Sequence, residues 1–187
     1  MSTSTNSPPY HHGDLRRALV DAALVMLERE GEAGLGLRDL ARAVGVSPAA
    51  PYRHFDSRIA LLETLAVIGF QKFTRMMASL QETTPDQKLS AMGRAYVLFA
   101  LDNANLFRLM FSAQLKREGR PGLKMAADAA FETLQLVSGE GSGGRVAALA
   151  AWAKVHGLAV LLLDGQIAIR AGDDTEALIV EILGRNP

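Results

Sequence analysis

Tyr52, Arg53 and His54 are consecutive side chains that offer three different hydrogen-bond donors: a phenol, a guanidinium and an imidazole. Phenol and imidazole groups can donate to phosphate oxygens, a contact that sets the register of a protein on a nucleic acid without reading its sequence. A guanidinium can also bind guanine through two hydrogen bonds. We therefore expect Tyr52 and His54 to contact phosphate, unless one of them packs on a neighbouring helix. For Arg53, a phosphate contact and a base contact are both possible from the sequence.

The residues around this triplet could contribute to the same surface. Ala49 and Ala50 are small enough to touch a thymine methyl group or to allow close approach to a groove. Arg38 and Arg58 could add positive charge, with Arg58 clamping a phosphate, and Ser47 is also expected to contact DNA.

Two short helices joined by a tight turn are expected to position these side chains. Apolar residues at 37, 40, 41 and 44 follow helical spacing, and Gly45 can adopt the left-handed conformation that ends a helix. Ser47 is a good N-cap and Pro48 suits the first helical position. The pattern predicts a helix-turn-helix over about 36–55, whose second helix enters a DNA major groove. Pro51 removes one backbone hydrogen bond, to Ser47, from that second helix.

The first 60 or so residues resemble the DNA-binding domain of the TetR family of bacterial transcriptional regulators. The resemblance rests on residues 10–15, 22–23, 27, 37–41, 45–47, 52–55, 57–58 and 61–62. It implies an all-α, TetR-like fold with a three-helix DNA-binding head over 13–58. It also implies a helical ligand-binding and dimerisation body over 59–187 and a homodimer bound to an operator in double-stranded DNA. Residues 1–12, which are polar and contain two prolines, are expected to form a disordered tail.

The second half resembles a TetR subgroup whose C-terminal domain carries a Trp-x-x-x-His-Gly motif, here Trp152, His156 and Gly157, preceded by the run 104–111. A body of this kind is built around a cavity, which makes several apolar residues candidates for its wall, although each could equally be plain core. His156 could donate one hydrogen bond to a ligand or could be a packed histidine of the core or interface. The candidate ligand-binding residues are Phe73, Phe99, Phe107, Met110, Phe111, Trp152 and His156.

The segment from 144 to 168 is apolar on nearly all sides, and such a helix must be buried by other elements. We expect this helix and the last one to pair with their copies in a second subunit. The predicted interface residues are Leu149, Ala153, Gly157, Val160, Leu161 and Leu178.

Composition limits the metals, cofactors and partners that we expect for this chain. The chain has no cysteine, which suits the reducing cytoplasm where we place it, and no cluster with metal-ligand spacing, so neither metal nor cofactor is expected. The apolar run 155–163 is too short to cross a bilayer, so no membrane partner is expected. Residues 1–60 carry seven arginines and seven acids, so non-specific DNA affinity should be modest.

These observations favour a repressor released from DNA by a small hydrophobic effector. A ligand-binding protein that has lost DNA binding is the alternative, since the head is neutral and contains Pro51. An enzyme is disfavoured because no nucleophile–base pair, phosphate loop or carboxylate cluster is present, and no catalytic residue is assigned.

Overall fold

The computed structural model describes residues 12–82, 84–139, 141–170 and 172–184. The predicted tail lies outside these residues apart from His12. Within the described residues the chain forms α-helices and short 3-10 turns and no strand, which confirms the all-α prediction. The helices are α1 (His12–Glu30), α2 (Leu37–Val44), α3 (Arg58–Ala78), α4 (Pro85–Asp102), α5 (Ala104–Met110), α6 (Pro121–Ser138), α7 (Gly141–Leu163) and α8 (Thr175–Gly184).

The chain divides into two compact units, one ending at Leu65 and the other beginning at Ala66. The first unit is held by a small apolar core, to which α1 supplies residues that recur at helical spacing and α2 adds Leu37, Leu40 and Ala41. The other large members of this core are Leu19, Leu27, Leu35, Phe55, Leu61, Leu62 and Leu65.

Gly45 ends α2 as its residue type predicts. Its φ of 75° lies in the left-handed region, where a glycine has no Cβ penalty. Its N–H donates to the Arg42 carbonyl and the Val46 N–H donates to the Ala41 carbonyl. These two bonds form the Schellman arrangement that satisfies carbonyls left free at a helix end.

The second helix of the predicted helix-turn-helix is not a regular α-helix. Residues 48–50 form a turn and Pro51–Arg53 form a 3-10 turn, with the Ala50 N–H bonded to the Ser47 carbonyl. Pro51 explains the difference, because it has no N–H to give to Ser47 and thereby interrupts the i to i−4 ladder. Its ring is buried in the first unit. Ser47 therefore caps no α-helix here.

The second unit is built around α4, which packs on α6, α7 and α8. Val97 of α4, Leu158 of α7 and Ile179 of α8 form the centre of one apolar cluster. The other residues packed on this cluster are Leu98, Leu101, Val155, Leu162, Ile167, Ile182 and Leu183.

Helix α7 is longer at its start and shorter at its end than its pattern predicts. It begins at Gly141, three residues before the predicted start, and Gly144 permits this because a Cβ there would lie 2.0 Å from the Gly139 carbonyl oxygen. It ends at Leu163 because Gly165, at a φ of 67°, and Gln166 donate back to Leu162 and Leu161.

Helix α5 ends at Met110, although the apolar pattern that begins at Asn103 predicts a helix to about Lys116. The Ser112 N–H donates to the Leu109 carbonyl, and the Ser112 hydroxyl accepts from the Gln114 N–H. A serine that binds its own following backbone in this way favours a turn over a helix. The connection to α6 is therefore irregular from Phe111 onwards.

Candidate functional site

The surface of the first unit presents most of the predicted DNA-contacting residues to solvent. Arg38, Ser47, Ala49 and Arg53 are exposed, and Ala50 is partly buried. Tyr52 is 48% exposed. Their contact with DNA remains a prediction.

Phe55 is buried in the first unit, and the guanidinium of Arg16 lies 5.4 Å from the centroid of its ring. His54 is partly buried, and its Nε2 is shielded from solvent with no hydrogen-bond partner among the described residues. This nitrogen cannot reach a phosphate unless the side chain rotates. The burial of His54 agrees with the alternative in which one of Tyr52 and His54 packs on a neighbouring helix.

Arg58, expected to clamp a phosphate, is held within the first unit. Its Nε donates to the Leu35 carbonyl at 2.8 Å and its Nη2 to the Glu32 carbonyl, with the Glu32 carboxylate 3.6 Å from that nitrogen. The guanidinium thus joins the start of α3 to the 3-10 turn Glu32–Gly34. Any phosphate contact would have to use its remaining N–H groups.

The second unit contains a cavity of about 810 Å³. This volume falls towards the upper end of the range of about 300–1,000 Å³ typical of small-molecule sites. Aromatic rings dominate its wall, and three methionines add flexible apolar surface that adapts to ligand shape. These wall residues are Phe70, Phe73, Phe107, Phe111, Phe131, Trp152, Met77, Met92 and Met110.

Five of the seven predicted ligand-binding residues line this cavity: Phe73, Phe107, Met110, Phe111 and Trp152. The other two lie outside its wall. Phe99 is buried behind it, with its ring centroid 5.3 Å from that of Phe73 in an edge-on contact. His156 packs on Phe111 at a centroid distance of 4.6 Å and directs a ring nitrogen at a tyrosine.

That tyrosine, Tyr96, is the polar group at the centre of the aromatic wall. Its hydroxyl oxygen accepts a hydrogen bond from Trp152 Nε1 at 3.2 Å and lies 2.8 Å from His156 Nδ1. An indole N–H can only donate, so with a neutral imidazole protonated on Nε2 the Tyr96 hydroxyl donates to Nδ1. One lone pair of the phenol oxygen then remains for a ligand.

Burial keeps both partners of this bond neutral. Desolvation raises the pKa of the Tyr96 phenol far above its ordinary value, an effect that the Trp152 hydrogen bond only partly opposes. Desolvation also lowers the pKa of His156 below its ordinary value of 6.5. The pair can therefore offer a hydrogen bond but no charge near neutral pH.

Sequence reasoning missed several wall residues. Phe131 on α6 and Arg117 in the connection before α6 both line the cavity. Phe131 could have been found as an aromatic at helical spacing, but no local signal marks Arg117. Tyr96, which also lines the cavity, was not among the predicted ligand-binding residues. Among the described residues, no group of three or more His, Cys, Asp or Glu side chains could hold a metal ion.

Helix α7 leaves an apolar face uncovered in the single chain. We use the term α7 apolar face for the residues that share one side of the helix by their spacing. Val146 is 66% exposed, Leu149 39% and Leu161 43%. Ala153 is exposed, while Gly157 and Val160 are partly buried. The face comprises Val146, Leu149, Ala150, Ala153, Gly157, Val160 and Leu161.

Of the predicted interface residues, only Leu178 lies on α8, where it is partly buried, and its neighbour Val180 is 46% exposed. By length and composition α7 could also cross a membrane, although the sequence placed its apolar run below that length. Only 28% of its most apolar stretch is buried within the chain. The single chain therefore covers little of this stretch, and its burial by a second subunit stays a prediction.

Two family profiles match the two parts of the chain. The profile described as bacterial regulatory proteins, tetR family, matches residues 19–65. The profile described as tetracyclin repressor-like, C-terminal domain, matches residues 89–185, which is more than half of the chain. Their order along the chain is that of the two resemblances found from the motifs.

Individual relatives agree with these profiles. The uncharacterised HTH-type transcriptional regulator YobS of Bacillus subtilis (strain 168) is 32% identical over 96 residues, which cover 51% of this chain and 50% of YobS. The match thus spans about half the length of that curated relative.

Solved structures extend the likeness over nearly the whole chain. A protein of unknown function from Rhodococcus sp. RHA1 is 33% identical, with a TM-score of 0.81 and coverage of 95% of this chain and 96% of its own. AibR, solved with isovaleryl coenzyme A and operator DNA, is 17% identical, with a TM-score of 0.65 and coverage of 90% and 96%. At that identity AibR shows the fold alone. The fold and both profiles lead to one conclusion: the chain belongs to the TetR family of bacterial transcriptional regulators.

Proposed function

We propose that this regulator is a cytoplasmic repressor that binds a pseudo-palindromic operator as a homodimer and is released by a small hydrophobic effector. The observation that carries the proposal is the aromatic cavity in the second unit of a chain whose first unit has the helix-turn-helix sequence. A regulator that carries both can couple ligand binding to DNA binding.

Operator binding is supported by the exposed donors of the first unit. Tyr52 and Arg53 stand free of the core, and Arg38 is exposed on α2. Residues 1–60 contain equal numbers of arginines and acids, so we expect weak non-specific DNA binding and an operator affinity that depends on contacts by individual side chains.

Homodimerisation is supported by the α7 apolar face. Large apolar groups exposed together on one helix mark an interaction surface. A two-fold interface requires a surface complementary to itself, and a stripe of small and branched residues allows two copies of a helix to pack closely. Such an interface removes the apolar surface of α7 from water without a membrane.

Release by an effector is supported by the cavity and by α3. This helix supplies Arg58 to the first unit and Phe70 and Phe73 to the wall of the cavity in the second. The likeness to AibR, whose structure holds an acyl-coenzyme A and operator DNA, agrees in kind with a small-molecule effector.

Selection of binding sites from a randomised DNA duplex library with the full chain tests the proposal. We expect enrichment of a pseudo-palindrome with half-sites at least one helical turn apart, because a two-fold dimer presents two equivalent reading surfaces. The variant Tyr52→Ala/Arg53→Ala, changed only at exposed positions, serves as the control and should enrich nothing.

A second candidate is a ligand-binding protein of the same fold that no longer binds DNA. The turns that replace a regular helix over 48–53 favour it, because a major-groove reader is normally an α-helix. Enrichment of no sequence by the unaltered protein, together with effector binding in the cavity, would establish this alternative and overturn the repressor.

A further inference from the structure

We propose that the effector is an amphiphile with one anionic head group, which binds the guanidinium of Arg117 while its apolar chain lies along the aromatic wall. This inference rests on the proposed effector-binding function and specifies the chemistry of the ligand. It goes beyond the neutral or weakly polar molecule that the aromatic residues suggest when considered without Arg117.

Arg117 is a partly buried cation in the wall of the cavity. Its guanidinium carbon lies 5.7 Å from the centroid of the Phe70 ring, which lines the same cavity. A cation–π contact holds the group in place but satisfies none of its five N–H donors with an oxygen. No hydrogen bond or ion pair from this guanidinium to an oxygen is found among the described residues.

The other charged wall residues are occupied or exposed. Asp128 pairs with Lys124, which lies one helical turn before it on α6. The Lys154 ammonium donates to the Leu183 carbonyl at 2.8 Å. Asp86 and Arg145 are exposed and well solvated.

Arg117 therefore combines partial burial with donors that lack an oxygen acceptor. Partly desolvated donors gain most from an anionic partner, and a planar guanidinium matches a carboxylate or a phosphate through two parallel hydrogen bonds. The Phe70 contact places this head-group position beside the aromatic wall.

The rest of the wall suits an unbranched apolar chain. Phe70 meets Phe111 edge-on at a centroid distance of 5.6 Å, and Phe111 lies 6.2 Å from Trp152. The rings thus form a continuous apolar path from the residue under Arg117 to the sole tryptophan of the chain. A chain of about ten carbons is well within a cavity of about 810 Å³.

Fluorescence of Trp152 in the full chain provides the test, since its ring lines the cavity. Decanoate, decyl phosphate and decanol share one chain and differ in the head group, and each is titrated at one ionic strength below its micelle concentration. We expect decanoate or decyl phosphate to bind about tenfold or more tightly than decanol, because hydrogen bonds to a charged group contribute about 1.5–3 kcal/mol. The tighter of the two anions identifies the head group.

Variants separate the role of Arg117 from general charge. Arg117→Gln should abolish the preference for the anion and leave decanol binding unchanged, while Arg117→Lys should keep part of the preference. Lys116→Gln removes an exposed neighbouring cation that does not line the cavity and should keep all of it.

Equal binding of decanol and both anions would overturn the inference, as would an equal loss for all three ligands in Arg117→Gln. Operator binding is measured separately. An Arg117-dependent anion preference without release of DNA would leave the inference standing and refute the repressor mechanism. Release of DNA by decanol and decanoate alike would support the repressor mechanism and overturn the inference of an anionic head group.

Discussion

Arg53 and Tyr52 are neighbours with different expected roles, and single substitutions distinguish them. If Arg53 binds a base, Arg53→Ala should cost about 1–3 kcal/mol on the operator and relax specificity at one base pair. Tyr52→Phe removes only a phosphate donor and should weaken all sequences about equally. Electrophoretic shifts on the selected operator and on random DNA measure both. Equal losses on the two DNAs for Arg53→Ala would assign that residue to phosphate.

His156 predicts a pH dependence of stability whose sign follows from its lowered pKa. Above its ordinary pKa of 6.5 the imidazole is neutral in both states and contributes no pH dependence. As the pH falls below 6.5, the unfolded chain takes up a proton before the folded chain does, so the free energy of unfolding decreases until the lowered folded pKa is reached. In His156→Asn, whose amide can still bind the Tyr96 hydroxyl, this decrease should be absent.

Urea unfolding at pH 7.5 and 5.5, at one protein concentration, measures this difference. The carboxylates shared by both proteins cancel in the comparison. Identical losses of stability in the two proteins would show that His156 titrates alike in the folded and unfolded chains.

At the scale of elements, α7 carries the prediction on assembly. A Cβ added at Gly157 would meet nothing within 4 Å in the single chain, so Gly157→Leu should leave the subunit folded. In a dimer that pairs the α7 apolar face, two inserted leucines would overpack the interface, at about 1–3 kcal/mol for each inserted side chain. We expect the dimer dissociation constant to rise tenfold or more, as measured by sedimentation equilibrium.

Gly122→Leu is the matched control for this experiment. Gly122 is an exposed glycine with equally open surroundings, and it belongs to α6, not to α7. Its substitution should leave the dissociation constant unchanged. A Gly157→Leu protein that dimerises like the unaltered chain would move the interface to another surface.

At the scale of the whole molecule, effector and operator should compete through a coupling free energy. A ligand that releases DNA must bind the DNA-incompetent dimer more tightly, and the usual coupling of about 1–3 kcal/mol weakens operator binding about 5- to 150-fold. Met110→Trp tests where the ligand acts. Met110 is 4% exposed in the wall, and its sulfur lies 2.7 Å from the position of a Cβ added at Gly69, so a larger side chain must extend into the cavity.

The substituted protein should lose effector binding and either retain operator affinity without response or show reduced affinity that imitates the ligand. Fluorescence anisotropy of a labelled operator, with and without decanoate, distinguishes these results. Normal operator binding with an intact response would place the effector elsewhere in the chain.

Local rules predicted helices of this protein because the causes of a helix lie within a few residues, whereas the family was predicted from a resemblance of motifs. Helical spacing predicted α2, and Gly45 predicted its left-handed end, since a glycine there avoids a steric cost in any context. Pro51 indicated a disturbed second helix, but the prediction was the loss of only one backbone hydrogen bond. The structure shows a series of turns instead.

The positions of the functional groups depended on contacts between residues far apart in the chain. Arg58 was expected at a phosphate, but it binds the carbonyl of Leu35, 23 residues away, which no local pattern could indicate. Trp152 and Tyr96 are 56 residues apart and share a hydrogen bond, and His156, 60 residues from Tyr96, bonds the same hydroxyl instead of lining the cavity. Composition and periodicity identify which side chains are apolar or charged, and therefore the fold class. Which of these side chains face the cavity is decided by burial and hydrogen bonding between helices that are far apart in the chain. Arg117 is an example, because the oxygens and rings near a donor are fixed only when the chain folds.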